Sequence, residues 1–366
     1  MSDLKILMTA DAIGGVWQYS ADLAETLGQS GVETVIALLG PAPSEAQRRH
    51  VAGLAGVTLI ETGLPVDWLC DGPAPVLAAG EAIARLARQE GVDLLHLNMP
   101  TLAASVADDL PIVAVTHGCV ATWWRAARGT PLDAGYAWHR ELMAEGLRAA
   151  DRVVAPSRGY AEAVAAEYGI AAPAVVHNGR QTVAVADAAE PVGRALTVGR
   201  LWDDVKNARL LDRVAAIAAT PIDAAGPVQG PHGEGVALSH MAALGTVAEA
   251  ELARRLAERP LFVSAASFEP FGLAVLEAAA AGCALILSDI ATFRELWDGA
   301  ALFVPGTDER DWAQAIDGLA ADRRARAMLG EAARERARRY TPEACAAGMC
   351  AIYDTLAGAT EARKAA

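Results

Sequence analysis

The chain has 366 residues, 53% of them hydrophobic and 21% charged, enough apolar material to bury two cores. A formal net charge of −14 argues against a nucleic-acid partner, whose phosphate backbone is held by clustered Lys and Arg, and against broad attachment to anionic lipid. Five cysteines, at positions 70, 119, 283, 345 and 350, form no C-x-x-C and are odd in number, which argues against a disulfide framework and for a reducing cytoplasm.

In chain order, short apolar runs alternate with longer amphipathic stretches. The first residues lead straight into an apolar run at 6–8, within a predicted strand at 4–8, without the basic and long apolar regions of a secretory signal. Gly14-Gly15 and a helix at 16–29 follow. Further strands are predicted at 35–39, 57–60, 94–97, 112–116, 152–155 and 174–176, with helices such as 76–89 and 136–149 between them. The rhythm breaks at 178–193, which begins with Asn178-Gly179 and turns rich in Ala, Asp and Glu, as a linker would. A second series predicts strands at 195–198, 221–224, 236–238, 261–263, 284–287 and 301–303. Helices are predicted at 207–219, 246–257, 272–281 and 308–321, and the arginine-rich stretch 323–339 reads as the solvated face of another. Thr341-Pro342-Glu343 marks the start of a last helix, 342–360. No apolar run reaches the roughly 18 uninterrupted residues that a membrane-spanning helix needs.

Two β-α-β series predict two doubly wound parallel sheets, with helices on both faces of each. The boundaries read as an N-terminal domain at 1–180, a linker at 181–194, a C-terminal domain at 195–341 and a C-terminal helix at 342–366 that crosses back to the first domain. In such sheets ligands sit beyond the carboxyl ends of the strands, so chemistry is expected in the loops just after strands and in a cleft between the domains.

Those loops carry the charged residues. Arg200 follows one strand and Lys206 precedes a helix. The pair suits a diphosphate, with a planar fork from arginine and a compact charge from lysine. Glu269-Pro270-Phe271-Gly272-Leu273 precedes a helix on which Glu277 stands. A glycine at that helix start lets a ligand approach the backbone, where the first N–H groups are free to donate. A glutamate pair alone is also what an exposed helix face looks like. His117 follows the apolar run 112–116 and stands at a strand end; His96 is the weaker candidate of the same kind, and His177 belongs to the linker. Trp123, Trp124, Tyr136 and Trp138 are more often core than acceptor platform, and Trp17 follows the glycine turn closely enough to line an acceptor site. The chain has no D-x-D for a divalent ion, no metal-ligand spacing among its histidines and cysteines, no P-loop and no G-x-G-x-x-G.

The stretch Glu269–Glu277, with Ala278-Ala279-Ala280-Ala281-Gly282 and Ser288-Asp289 after it, resembles the E-x7-E region of retaining glycosyltransferases of family 4. Gly14-Gly15-Val16, Asn178-Gly179, Gly199-Arg200-Leu201 with Lys206-Asn207, and Gly245 with Glu251-Leu252 are similar to further motifs of that family. The chain departs from it where Gly31-Val32 replaces a Gly-His, where Ala291-Thr292 stands for a glycine pair in the loop after Asp289, and at Ser264-Ala265-Ala266-Ser267. The resemblance implies a GT-B fold and a metal-independent, retaining hexosyltransferase with no cofactor. Its donor is a nucleotide-diphosphate sugar, UDP-linked ahead of GDP- or ADP-linked, and its acceptor is an unidentified sugar, lipid or small molecule. By the same resemblance, Arg200 and Lys206 neutralise the leaving diphosphate and Glu277 holds the ribose. Glu269 and the backbone at Phe271, Gly272 and Leu273 hold the sugar, Gly15 lets its backbone approach donor and acceptor, and His117 faces the sugar's 6-hydroxyl side. A sugar phosphorylase or nucleotide-sugar epimerase on the same fold, and a non-catalytic two-domain sugar-binding protein, are the alternatives.

Overall fold

The computed structural model describes residues 4–106, 110–181, 191–231 and 233–365; of residues 357–365 only the backbone is described. Most of the expected linker, 182–190, therefore lies outside the described residues. Two compact units emerge: residues 1–179 with 342–366, and residues 180–341.

The first unit is built on seven parallel strands, β1 (Lys5–Asp11), β2 (Glu33–Leu39), β3 (Val57–Glu61), β4 (Leu94–Leu97), β5 (Ile112–Val115), β6 (Arg152–Ala155) and β7 (Ala174–Val175), in the order β3-β2-β1-β4-β5-β6-β7. Its helices are α1 (Gly15–Gln29), α2 (Glu45–Ala52), α3 (Pro73–Glu90), α4 (Val120–Arg128), α5 (Ala137–Ala149) and α6 (Arg158–Tyr168). The strands are apolar runs rather than alternations because both faces are covered. Leu7 packs into the core under α3, while its neighbours Ile6 and Met8 point to the opposite core, with Leu23 and Leu27 of α1.

The second unit has six parallel strands, β8 (Ala195–Val198), β9 (Ile222–Ala225), β10 (Ala242–Gly245), β11 (Leu261–Ser264), β12 (Leu285–Ser288) and β13 (Ala301–Val304), ordered β10-β9-β8-β11-β12-β13. Its helices are α7 (Ala208–Ala215), α8 (Glu249–Ala257), α9 (Leu273–Ala280), α10 (Ala291–Trp297), α11 (Glu309–Ala321) and α12 (Arg323–Ala337). Leu261 and Val263 face one core and Phe262 the other.

The last helix, α13 (Pro342–Ala365), belongs to the first unit and lies against α1, where Cys345, Met349 and Tyr353 are buried with Tyr19 and Leu23. Gly348 makes that seat possible on the sheet side, since a Cβ there would come within 2.9 Å of Val176.

Three expectations need correction. No strand forms at 236–238: Val236 is buried against the core and Leu238 packs beside it, but from a loop. The edge strand is Ala242–Gly245 instead, where Ala-Ala-Leu-Gly carries little β preference and gains its place by pairing with β9. Residues 291–292 do not form a loop after Asp289 but open α10, whose Phe293, Leu296 and Trp297 are buried. Trp17 does not line an acceptor site; it is 4% exposed, packed with Ala24, Ile36 and Leu38.

Candidate functional site

In each sheet the order reverses between two strands that are neighbours in space but not in sequence, β1/β4 in the first unit and β8/β11 in the second. A crevice opens at such switch points, beyond the carboxyl ends. The singled-out residues cluster there, in two groups that belong to separate units.

In the first unit, Gly14 caps α1 with φ 82°, a backbone that a side chain would strain, so the turn needs its first glycine. Gly15, the exposed first residue of α1, then presents its backbone. Asn98 follows β4 and is pinned from three sides. Its backbone N–H donates to Thr9 Oγ1 at 2.9 Å, and its Nδ2 donates to Thr9 O at 2.7 Å and to Ser20 Oγ at 3.1 Å. Its Oδ1 lies 3.0 Å from His96 Nε2 and 2.9 Å from His117 Nε2. His96, fully buried in β4, meets the Tyr353 hydroxyl of α13 at 2.6 Å through Nδ1. His117, half-buried after β5, stands edge-on to the Tyr19 ring at a centroid distance of 4.4 Å. Burial pushes the His96 imidazole down to about 4. Burial and then the neighbouring His96 push His117 down to about 3, so both rings are neutral at pH 7.

In the second unit, the loop after β8 is shaped by two side-chain devices. Asp203 accepts from Arg200 Nη2 at 3.0 Å and caps the short turn Asp204–Lys206. Asn207 then takes a left-handed φ of 53°, which asparagine tolerates, and its Nδ2 donates to Ala265 O at 2.7 Å. A backbone bond from Ser267 N to Val205 O at 2.8 Å ties this loop to the one after β11. Lys206 Nζ is thereby delivered to Glu269 Oε2 at 2.5 Å. Gly272, the N-cap of α9, has φ 94°, and a Cβ there would sit 3.3 Å from Glu269 Cγ, Phe293 and Val275. The left-handed backbone calls for glycine and the space beside it is tight, and the first-turn N–H groups of α9 from Leu273 to Val275 lack intrahelical acceptors. Phe271 is buried edge-on against Tyr340 with centroids 5.6 Å apart, so its ring is spent on packing. Glu277, one turn further along α9, accepts from Arg180 Nε at 2.7 Å, and Arg180 also reaches Glu249.

The structure therefore brings Lys206, Glu269 and Gly272 together. Arg200 is held instead on Asp203, its guanidinium 5.6 Å over the Trp202 ring. Three residues escaped the sequence reading. Arg180 directly follows Asn178-Gly179, Asp203 sits between the two basic residues, and Asn98 stands two positions after His96; each lay beside a residue already marked. Trp123, Trp124 and Tyr136 are not core: Trp124 walls a shallow pocket with Arg125 and Arg140, both of which pair with Glu167, and Tyr136 is 38% exposed. Only Trp138 packs partly against the core. Among the described residues no cluster of three metal-ligating side chains occurs.

Residues 13–182 match the family model of glycosyltransferase family 4, and residues 238–336 match that of glycosyl transferases group 1. The phosphatidyl-myo-inositol mannosyltransferase of Mycolicibacterium smegmatis is 34% identical over 123 residues, which are 33% of this chain and 32% of that protein; the match thus spans about a third of the relative's length. Sucrose-phosphate synthase from Thermosynechococcus elongatus superposes with a TM-score of 0.76 at 18% identity, covering 98% of this chain and 100% of the other. Anabaena Alr3699/HepE in complex with UDP-glucose gives 0.73 at 15% identity, over 96% and 100% of the chains. A glycosyltransferase from Rickettsia africae gives 0.70 at 16%, over 97% and 99%. These likenesses place both doubly wound units in the GT-B fold. With one family match on each unit, the chain belongs to glycosyltransferase family 4, the group 1 glycosyltransferases.

Proposed function

We propose that the protein moves a sugar from a nucleotide-diphosphate sugar to an acceptor hydroxyl, with retention at the anomeric carbon and without a metal ion. The observation that carries the reading is the contact between Lys206 and Glu269 at the switch point of the second sheet, beside the left-handed Gly272 that opens α9. A cation for phosphate, an anion for sugar hydroxyls and free helix N–H groups stand within one hydrogen-bonded cluster.

In this reading Lys206 and Arg200 receive the diphosphate as the bond to the anomeric carbon breaks. Glu269 and the backbone from Phe271 to Leu273 hold the sugar, and Glu277, steadied by Arg180, holds the ribose. Gly15 and His117 take the acceptor and sugar roles that the family resemblance implies. The acceptor oxygen attacks the same face from which the phosphate departs, through an oxocarbenium-like state, and the departing phosphate oxygen takes the acceptor's proton. Catalysis is then positioning plus electrostatic stabilisation of the leaving group. A UDP-linked donor is the first choice, in keeping with the UDP-glucose bound by the Anabaena protein. Screening UDP-, GDP- and ADP-sugars for nucleotide release, with the product's anomeric configuration read by NMR, tests the proposal. Release of nucleotide with an inverted product, or phosphate-dependent release from a sugar polymer, would replace it.

A further inference from the structure

The hydrogen bonds around Asn98 leave no freedom in the placing of protons. Thr9 O is a carbonyl and only accepts, so the Asn98 atom 2.7 Å from it is the amide nitrogen, and the other atom is the oxygen. That oxygen only accepts. Both ring nitrogens that meet it, His96 Nε2 and His117 Nε2, must therefore carry hydrogen. His96 Nδ1, in a neutral ring, then accepts from the Tyr353 hydroxyl. In a neutral His117 ring, Nδ1 has the lone pair, and no hydrogen bond is made to it among the described residues.

The geometry points to Asn98 as a positioning residue that holds His117 as the neutral Nε2–H tautomer and leaves its Nδ1 as a hydrogen-bond acceptor for a hydroxyl of the transferred sugar. The inference rests on the reading that His117 faces that sugar. His96 and Tyr353 fill the remaining lone pair and the remaining ring nitrogen, so α13 takes part in fixing the imidazole. The depressed basicity of both rings agrees with this arrangement. A neutral ring with an outward lone pair favours a hydroxyl donor and steadies positive charge at a nearby carbon, whereas an imidazolium or the Nδ1–H tautomer would do neither.

The test is the nitrogen spectrum of the full-length protein labelled with 15N-histidine, with His117 assigned by difference against His117→Gln. At pH 7 the wild type should show His117 with a protonated Nε2 and an unprotonated Nδ1. Asn98→Ala should shift His117 toward a mixture of tautomers and lower UDP-sugar turnover about tenfold, the cost of one misplaced hydrogen bond. Asn98→Asp, which keeps an acceptor oxygen, should retain the protonated Nε2 whether or not the alanine variant folds. A wild-type His117 that is Nδ1–H or doubly protonated at pH 7 overturns the inference. So does an alanine variant whose tautomer, or whose turnover, is unchanged while His117→Gln is impaired. Full turnover in His117→Gln would instead overturn the functional reading of His117 and leave the tautomer assignment to the spectrum.

Discussion

Lys206 and Glu269 lie 2.5 Å apart, both half-buried, across the switch point between β8 and β11. The side chains assigned to the donor's diphosphate and to its sugar thus neutralise each other before a donor arrives. In the proposed roles, donor binding divides the pair, turning the lysine to phosphate and the glutamate to hydroxyls.

Replacing Glu269 by Gln should therefore separate binding from transfer. With its partner carboxylate gone, Lys206 is free for the diphosphate, so free UDP should bind as tightly as to the wild type or up to a few-fold tighter, while transfer falls. Calorimetric titration of UDP beside turnover is the measurement. Loss of UDP affinity in this variant would contradict the assignment of Glu269 to the sugar.

Lys206→Ala and Arg200→Ala should each lower turnover about 100- to 1000-fold, because charge grows on the diphosphate as the bond breaks. Thermal melts should show both variants folded, since Arg200 is an exposed partner of Asp203 rather than a core residue. With two cations supplying the charge, turnover should survive EDTA. Loss of activity on chelation, restored by magnesium or manganese, would assign that charge to a metal.

Arg180 and Glu277 should behave as one unit. Glu277→Gln should weaken free UDP about 10- to 150-fold, as expected for a lost charge-assisted hydrogen bond. Arg180→Met leaves the carboxylate without its 2.7 Å donor and should weaken UDP in the same direction. The double variant should show less than the sum of the two losses. Additive effects in that cycle would make Arg180 a separate contact.

The buried histidines set an acid limit to stability. His96 holds at about 4 through burial, against about 6.5 in an unfolded chain, so below neutrality the unfolded chain binds the extra proton. Stability from this group is complete above pH 6.5 and is lost as pH falls toward 4, about 2 kcal/mol of it by pH 5. Urea unfolding at pH 7 and pH 5 should show this loss in the wild type and a smaller one in His96→Gln.

Much of the fold was legible because both sheets are covered on both faces, so each central strand is a short apolar run. Leu94–Leu97, Leu261–Ser264 and Leu285–Ser288 all read as such. Ala242–Gly245 did not, since its place comes from pairing with β9 rather than from its own residues. Val236 misled for the converse reason: a loop residue packed on a core is as apolar as a strand. Local sequence determined where charged and glycine residues stand relative to strand ends, because a strand's end and a helix's start are set within a few residues. It could not determine which of them meet. Lys206 reaches Glu269 across 63 positions, Arg180 reaches Glu277 across 97, and His96 reaches Tyr353 across 257. Those partnerships exist only once parallel pairing sets β8 beside β11 and packing sets α13 on α1. Hydrogen bonds need donor and acceptor within about 3 Å, a condition that only the assembled tertiary structure can impose on residues so far apart in the chain.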